Sequence, residues 1–194
     1  MTALPIDQPS PPPRRLLSVT EYTELADPGS ELVEGRLLLT PSPTPDDNYA
    51  SFQLRVALGG NCPDDLDVLT AVDVDLELAG PDEPGFVRRP DLVVVRAEAR
   101  GKAYRPGVLL CASDVVLAIE ICSPESRRTD HLVKRAEYAD AGIPRYWIVD
   151  IGDQVSITAC HHPGSFGYAD SGLTVGTFAT TDPFDLQLDL ARLV

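Results

Sequence analysis

The stretch VVLAIEICSPESRRTDHLVKRAEYADAGIPRYWIVD, residues 115–150, decides the fold. Its beginning, 115–123, and the run 145–151 that closes it and continues to Ile151 are dense in β-branched and aromatic residues. Runs of that kind suit central strands covered on both faces. Between them a helix is expected from about Asp130 to Ala141, with Thr129 as its N-cap and Gly142 just past its end. A buried strand, a helix and a second buried strand imply a sheet with helical cover.

Working outward, RPDLVVVR at 89–96 reads as another central strand, separated from 115 by the basic loop RAEARGKAYRPG. DVLTAVDVDLEL, 67–78, alternates apolar and polar residues as a half-buried strand does. PDEPG at 81–85 is a turn. A helix over Tyr49–Leu58 is stopped by Gly59-Gly60, and PSPTPDDN, 41–48, is a loop. ELVEGRLLLT, 31–40, reads as two short strands about Gly35. A first helix runs from Ser18 or Thr20 to about Ala26, before the turn signal Asp27-Pro28-Gly29. Downstream, QVSITACHH at 154–162 is the hairpin partner of 145–151, and short strands close the domain. Five of the 18 prolines fall within the first 13 residues, so residues 1–15 read as an extended tail. Residues 16–194 form one α/β (α+β) domain with a mixed central sheet flanked by helices.

With 194 residues, 43% of them hydrophobic, the chain can build one core. No run approaches the roughly 18 apolar residues of a membrane helix. The opening MTALPIDQPSPPPRR lacks the features of a signal or transit peptide, so a cytoplasmic location is expected. Cys62, Cys111, Cys122 and Cys160 lie far apart, without metal-ligand spacing, and read as buried apolar residues in a reducing compartment. His161 and His162 follow a strand and have no partner at a recognisable spacing.

Two carboxylates stand where carboxylates are costly. Asp91 opens one central strand and Glu120 lies near the end of another. If these strands are antiparallel neighbours, the two carboxylates converge at one sheet edge. Like charges that close need a cation or a shared proton, and a hard divalent ion such as magnesium would supply it. Lys134 is one of only two lysines among 16 basic residues. Asp130, Lys134 and Tyr138 follow i, i+4, i+8 spacing on one helix face, close enough to lay Lys134 over the strand end. There it could stabilise a phosphate or orient an activated water. The plainer alternatives are a turn cap for Asp91, a first-turn charge for Asp130 and a solvated Lys134 paired with Asp130. Glu120, between Ile119 and Ile121, points opposite to both, onto a face that can still be wet.

ELVEGRL, RRPDLVVV and the stretch from 115 to 150 together closely resemble the Uma-two family of restriction-endonuclease-like proteins, part of the PD-(D/E)XK nuclease superfamily. The resemblance spans about Leu17 to Val194. Pro90-Asp91 matches the family's PD, and Glu120-Ile121-Cys122 occupies the (D/E)XK position. Cys122 stands where the superfamily has lysine, and Lys134 matches the lysine that substitutes for it. Glu31 or Glu34 matches a further acidic residue; the two point to opposite faces of a strand, so only one is expected to reach the site, and Glu31 is the candidate. Similar sequences carry a histidine in the loop after Pro45, where this chain has Asp46-Asp47-Asn48.

The resemblance implies a restriction-endonuclease-like fold and magnesium-dependent (alternatively manganese-dependent) hydrolysis of DNA. Asp91, Glu120 and the carbonyl of Ile121 would hold the ion, with Lys134 and Glu31 completing the site. It further implies a homodimer, since cutting both strands takes two sites. Competing readings are a non-catalytic member acting as a nucleic-acid-binding or protein-interaction subunit, and a hydrolase of another phosphate ester. The formal charge of −14 opposes phosphate binding. Yet residues 86–105 and 126–146 together carry +6, which leaves −20 elsewhere. The expectation is weak, salt-sensitive DNA binding on one basic face.

Overall fold

The computed structural model describes residues 15–25, 29–103, 107–123 and 126–194, with the backbone alone at 102 and 103. The proline-rich segment read as a tail, up to residue 14, and the turn residues Asp27 and Pro28 lie outside them. The stretch that decides the fold supplies its centre. Strand β8 (Val115–Cys122) is followed by a π-helical turn, Thr129–Lys134, a short α-helix, Arg135–Asp140, and strand β9 (Arg145–Asp150). β8 and β9 pair in parallel, with Glu120 opposite Ile148 and Cys122 opposite Asp150. The helical segment is the crossover that a parallel pair requires.

Strand β6 (Leu92–Arg96) joins the other side of β8 antiparallel, and β3 (Leu66–Thr70) pairs with β6. β10 (Ser156–Gly164) and β11 (Gly167–Val175) extend the sheet beyond β9, giving the order β11-β10-β9-β8-β6-β3. Period-two alternation sends the side chains of these strands into two cores. Leu92, Val94, Leu117, Ile119 and Trp147 pack on one face with Leu54 and Leu58. Val93, Val95, Ala118, Tyr146 and Ile148 pack on the other with Tyr138. The central strands are therefore covered on both faces, as their composition implies.

A second sheet lies at the N-terminal side, with order β2-β1-β5-β4-β7. Its strands are β1 (Ser30–Val33), β2 (Arg36–Leu39), β4 (Val74–Asp75), β5 (Val87–Arg88) and β7 (Leu110–Cys111). The β1–β2 hairpin turns through Glu34 and Gly35, at φ 49° and 73°, the left-handed pair that a tight hairpin demands. The first helix, α1, spans Val19–Leu25. Strands β12 (Thr177–Thr180) and β13 (Leu186–Asp189) form a separate ribbon. No helix among the described residues is long and apolar enough to cross a membrane.

Four local expectations are corrected. The loop expected at 41–48 turns helical at Pro45, and helix α2 runs Pro45–Asn61. Thr44 and Asp47 form a reciprocal capping box with Pro at the first turn, which moves the helix start ahead of Tyr49. The strand expected over 67–78 breaks at Ala71, whose φ is 49°, and its halves β3 and β4 enter different sheets. The basic loop after 96 begins with a helix, α3 (Ala97–Ala103), in which alanine, glutamate and arginine are all good helix formers. Thr129 is not an N-cap: residues 127 and 128 are already helical, and Thr129 opens the π turn. The segment Arg135–Asp140 is α4.

Candidate active site

The antiparallel register of β6 and β8 sets Leu92 opposite Ile119. Asp91, one residue before β6, consequently stands beside Glu120, one residue further along β8. Asp91 Oδ2 accepts a hydrogen bond from the Ile121 backbone N–H at 2.7 Å. Glu120 points away from Ile119 and Ile121, but the face it shares with Ala118 and Cys122 is not wet. The π turn and α4 cover it, and Glu120 is 3% exposed.

Lys134 reaches this carboxylate from the π turn. Its Nζ donates to Glu120 Oε1 at 2.8 Å and lies 3.6 Å from both Glu31 Oε1 and Asp130 Oδ1. Tyr138 Oη donates to the same Glu120 oxygen at 2.7 Å. Tyr146 Oη donates to the Asp130 carbonyl at 3.0 Å, tying the π turn to the sheet. Lys134 is 6% exposed, so it is not a solvated partner of Asp130 alone. Its appearance in a π turn fits the frequent use of such turns at functional sites.

Glu31 joins the group and Glu34 does not. Glu31, on β1, is buried and accepts from Arg88 Nη1 at 2.8 Å and the Arg89 backbone N–H at 3.0 Å. Arg88, itself buried, makes a bidentate pair with Glu137 through Nε and Nη2 at 2.7 and 2.8 Å. Glu34 occupies the exposed hairpin turn.

The charges in this cluster do not balance. Glu31, Glu120 and Asp130 surround one ammonium, Asp91 adds its charge from farther off, and Arg88 is shared between Glu31 and Glu137. Burial pushes Asp91 up to about 6, assisted by Asp130 and Asp47 and opposed by the Ile121 N–H and Lys134. Burial raises Glu120 further, to about 8, with Asp91 and Asp130 adding to it and Lys134 opposing it. Burial works against the Lys134 ammonium, but Glu120, Glu31 and Asp130 overcome it and hold the group charged well above its ordinary range. Burial also opposes ionisation of Glu31, yet Lys134 and Arg88 keep it below the usual carboxylate range. Two central acids that burial pushes toward the protonated form, beside a single lysine held as a cation, describe a site short of positive charge.

A hard divalent cation fits that deficit. The free oxygens of the two central acids, Asp91 Oδ1 and Glu120 Oε2, accept from no donor among the described residues. Asp47 adds its charge to Asp91 from α2: its Oδ2 accepts from the Thr44 backbone N–H, while its Oδ1 is buried without a hydrogen-bond donor among the described residues. Oxygen donors of this kind suit magnesium or manganese.

Sequence reasoning missed Arg88, Asp47 and the anchoring role of Tyr146. Arg88 carried a faint signal, as the first of two arginines that directly precede Pro90-Asp91. Asp47 stood at the place where similar sequences carry a histidine, but reading 41–48 as loop hid its approach to the site. The basic windows also look different in three dimensions. Arg88, Arg89, Arg100, Arg127, Arg135 and Arg145 each pair with a carboxylate, so their charge is largely compensated. A cavity of about 540 Å³ lined by Arg145, Trp147, Phe178 and Asp182 contains none of the clustered acids.

No curated protein matches the sequence. Among solved structures, the crystal structure of a "putative nuclease belonging to DUF820" from Anabaena variabilis ATCC 29413 superimposes with a TM-score of 0.67. The two are 14% identical, and the match covers 91% of this chain and 97% of that one. The architecture is thus that of a restriction-endonuclease-like α/β domain. A family model described as "Putative restriction endonuclease" matches residues 19–191, nearly the whole described chain, and the protein belongs to that family, Uma2.

Proposed function

We propose that the protein is a divalent-metal-dependent endonuclease that hydrolyses DNA phosphodiester bonds. The observation that carries this reading is the charge deficit: Asp91 and Glu120 meet across antiparallel strands, both holding protons more tightly than ordinary carboxylates. Asp91, Glu120 and the Ile121 carbonyl would hold magnesium, with manganese as the alternative ion. Once bound, the ion lowers the pKa of a water and offsets charge on the attacked phosphate. Lys134, fixed by Glu120, Glu31 and Asp130, is held as a cation; it acts as an electrostatic and orienting group rather than as the base. Glu31 positions Lys134, and Tyr138 fixes the Glu120 carboxylate. Pairing of two copies would supply one site for each strand.

The rival reading, a non-catalytic nucleic-acid-binding or interaction subunit, draws on Cys122 in the lysine position and on the neutralised arginines. One measurement separates the two. Magnesium binding and cleavage of single- and double-stranded DNA are compared for wild type and Asp91→Ala. We expect the variant to lose both. Cleavage at equal rates by the two proteins would mean that the cluster is not the active site.

A further inference from the structure

We propose a second metal site, for a borderline transition-metal ion such as zinc, formed by Cys122, His131 and Asp150. Each residue offers one ligand atom, and the three atoms lie within 4.8 Å of one another. This proposal does not depend on the nuclease reading. The three residues come from different elements, which is why no ligand spacing appears in the sequence. Cys122 and Asp150 end the parallel strands β8 and β9 as register partners. His131 descends on them from the π turn.

The donor set points to the ion. Thiolate, imidazole and carboxylate together favour zinc over magnesium, which prefers oxygen alone. Four ligands around tetrahedral zinc sit about 3.5 Å apart, so side-chain adjustments on the order of 1 Å would close the site. Three protein ligands leave a fourth position open. A second observation is independent of the clustering: His131 Nε2 is buried and has no hydrogen-bond partner among the described residues. A buried polar atom left in that state is costly unless a ligand satisfies it.

Local contacts do not block the site. Among the described residues the Cys122 thiol donates to the Ser123 carbonyl, at 3.7 Å, and the Ser126 hydroxyl lies beside the sulfur. Asp150 Oδ1 accepts from the Gly152 N–H at 3.1 Å, and Oδ2 pairs at 3.1 Å with Arg127, whose side chain is 62% exposed and can swing away. Binding replaces the thiol S–H bond by an S–metal bond and releases the proton to solvent. The consequence is mechanical. The ion would staple the π turn, which carries Asp130 and Lys134, to the ends of β8 and β9. The cysteine in the superfamily's lysine position would thereby help to position the relocated lysine.

The test uses the full chain with excess magnesium present, so that hard-oxygen sites are saturated. Zinc binding is followed by calorimetry, and cobalt(II) serves as a spectroscopic probe. Wild type should bind one zinc, gain thermal stability on adding it, and show a thiolate-to-cobalt charge-transfer band. Cys122→Ser should lose that band. His131→Asn, which spares the buried strand, should weaken zinc binding by more than the roughly 10–100-fold cost of losing an outer-shell partner. Asp91→Ala should retain both band and affinity. A wild type without the band, or a band that persists in Cys122→Ser or zinc affinity unchanged in His131→Asn, overturns the proposal.

Discussion

Glu120→Gln is expected to abolish metal-dependent cleavage while making the metal-free protein more stable at pH 8. The activity loss should be roughly a thousandfold, the rate equivalent of several kcal/mol of transition-state stabilisation. Glutamine keeps an oxygen to accept from Lys134 Nζ and Tyr138 Oη, so the local geometry survives. What disappears is a carboxylate that the fold holds at about 8. A carboxylate raised above its unfolded value binds more protons folded than unfolded in the interval between the two. Stability is therefore highest below the ordinary carboxylate range and falls as pH rises through about 6, for Asp91, and then about 8, for Glu120. Glu120→Gln removes the second part of that decline, a gain on the order of a few kcal/mol at pH 8. Magnesium should raise the wild-type melting temperature at pH 8 more than at pH 5, since protons already occupy the site at the lower pH. Urea denaturation of both proteins across this range reads the effect. Parallel pH profiles would show that Glu120 is not the strained group.

Lys134→Met is expected to destabilise the fold by about 3–5 kcal/mol at pH 8, the usual cost of leaving a buried charge without its partner. Methionine matches much of the length of the lysine stem but removes the one ammonium facing Glu31, Glu120 and Asp130. The loss should shrink toward pH 5, where Glu120, which burial pushes up to about 8, takes up a proton instead. Lys134→Arg should recover only part of it, because a planar guanidinium does not fill the pocket of a compact ammonium. Cleavage should fall with both variants. A Lys134→Met protein as stable as wild type at pH 8 would return Lys134 to the status of a peripheral charge.

The central strands were legible because β-branched runs covered on both faces have few alternative placements. Asp91 and Glu120 were legible for the same reason: a carboxylate inside such a run stands out. Lys134 was legible through its rarity and its spacing from Asp130 and Tyr138. The beginning of α2 was not, since a capping box with proline at the first turn looks like a loop when apolar periodicity alone is followed. The break at Ala71 was not, because a left-handed backbone angle at alanine leaves no compositional trace.

The sequence by itself determined the covered sheet, the two central acids and the family, all of which rest on local pattern and motif. Only the tertiary structure decided how charge is distributed. Register placed Asp91 against Glu120, the π turn brought Lys134 down upon them, and six arginines of the windows that sum to +6 became paired with carboxylates. Cys122, His131 and Asp150 became neighbours in the same way, across a parallel strand pair and a crossover. The physical reason is common to all of these: solvation and Coulomb energies depend on distance and burial in space, which spacing along the chain does not encode.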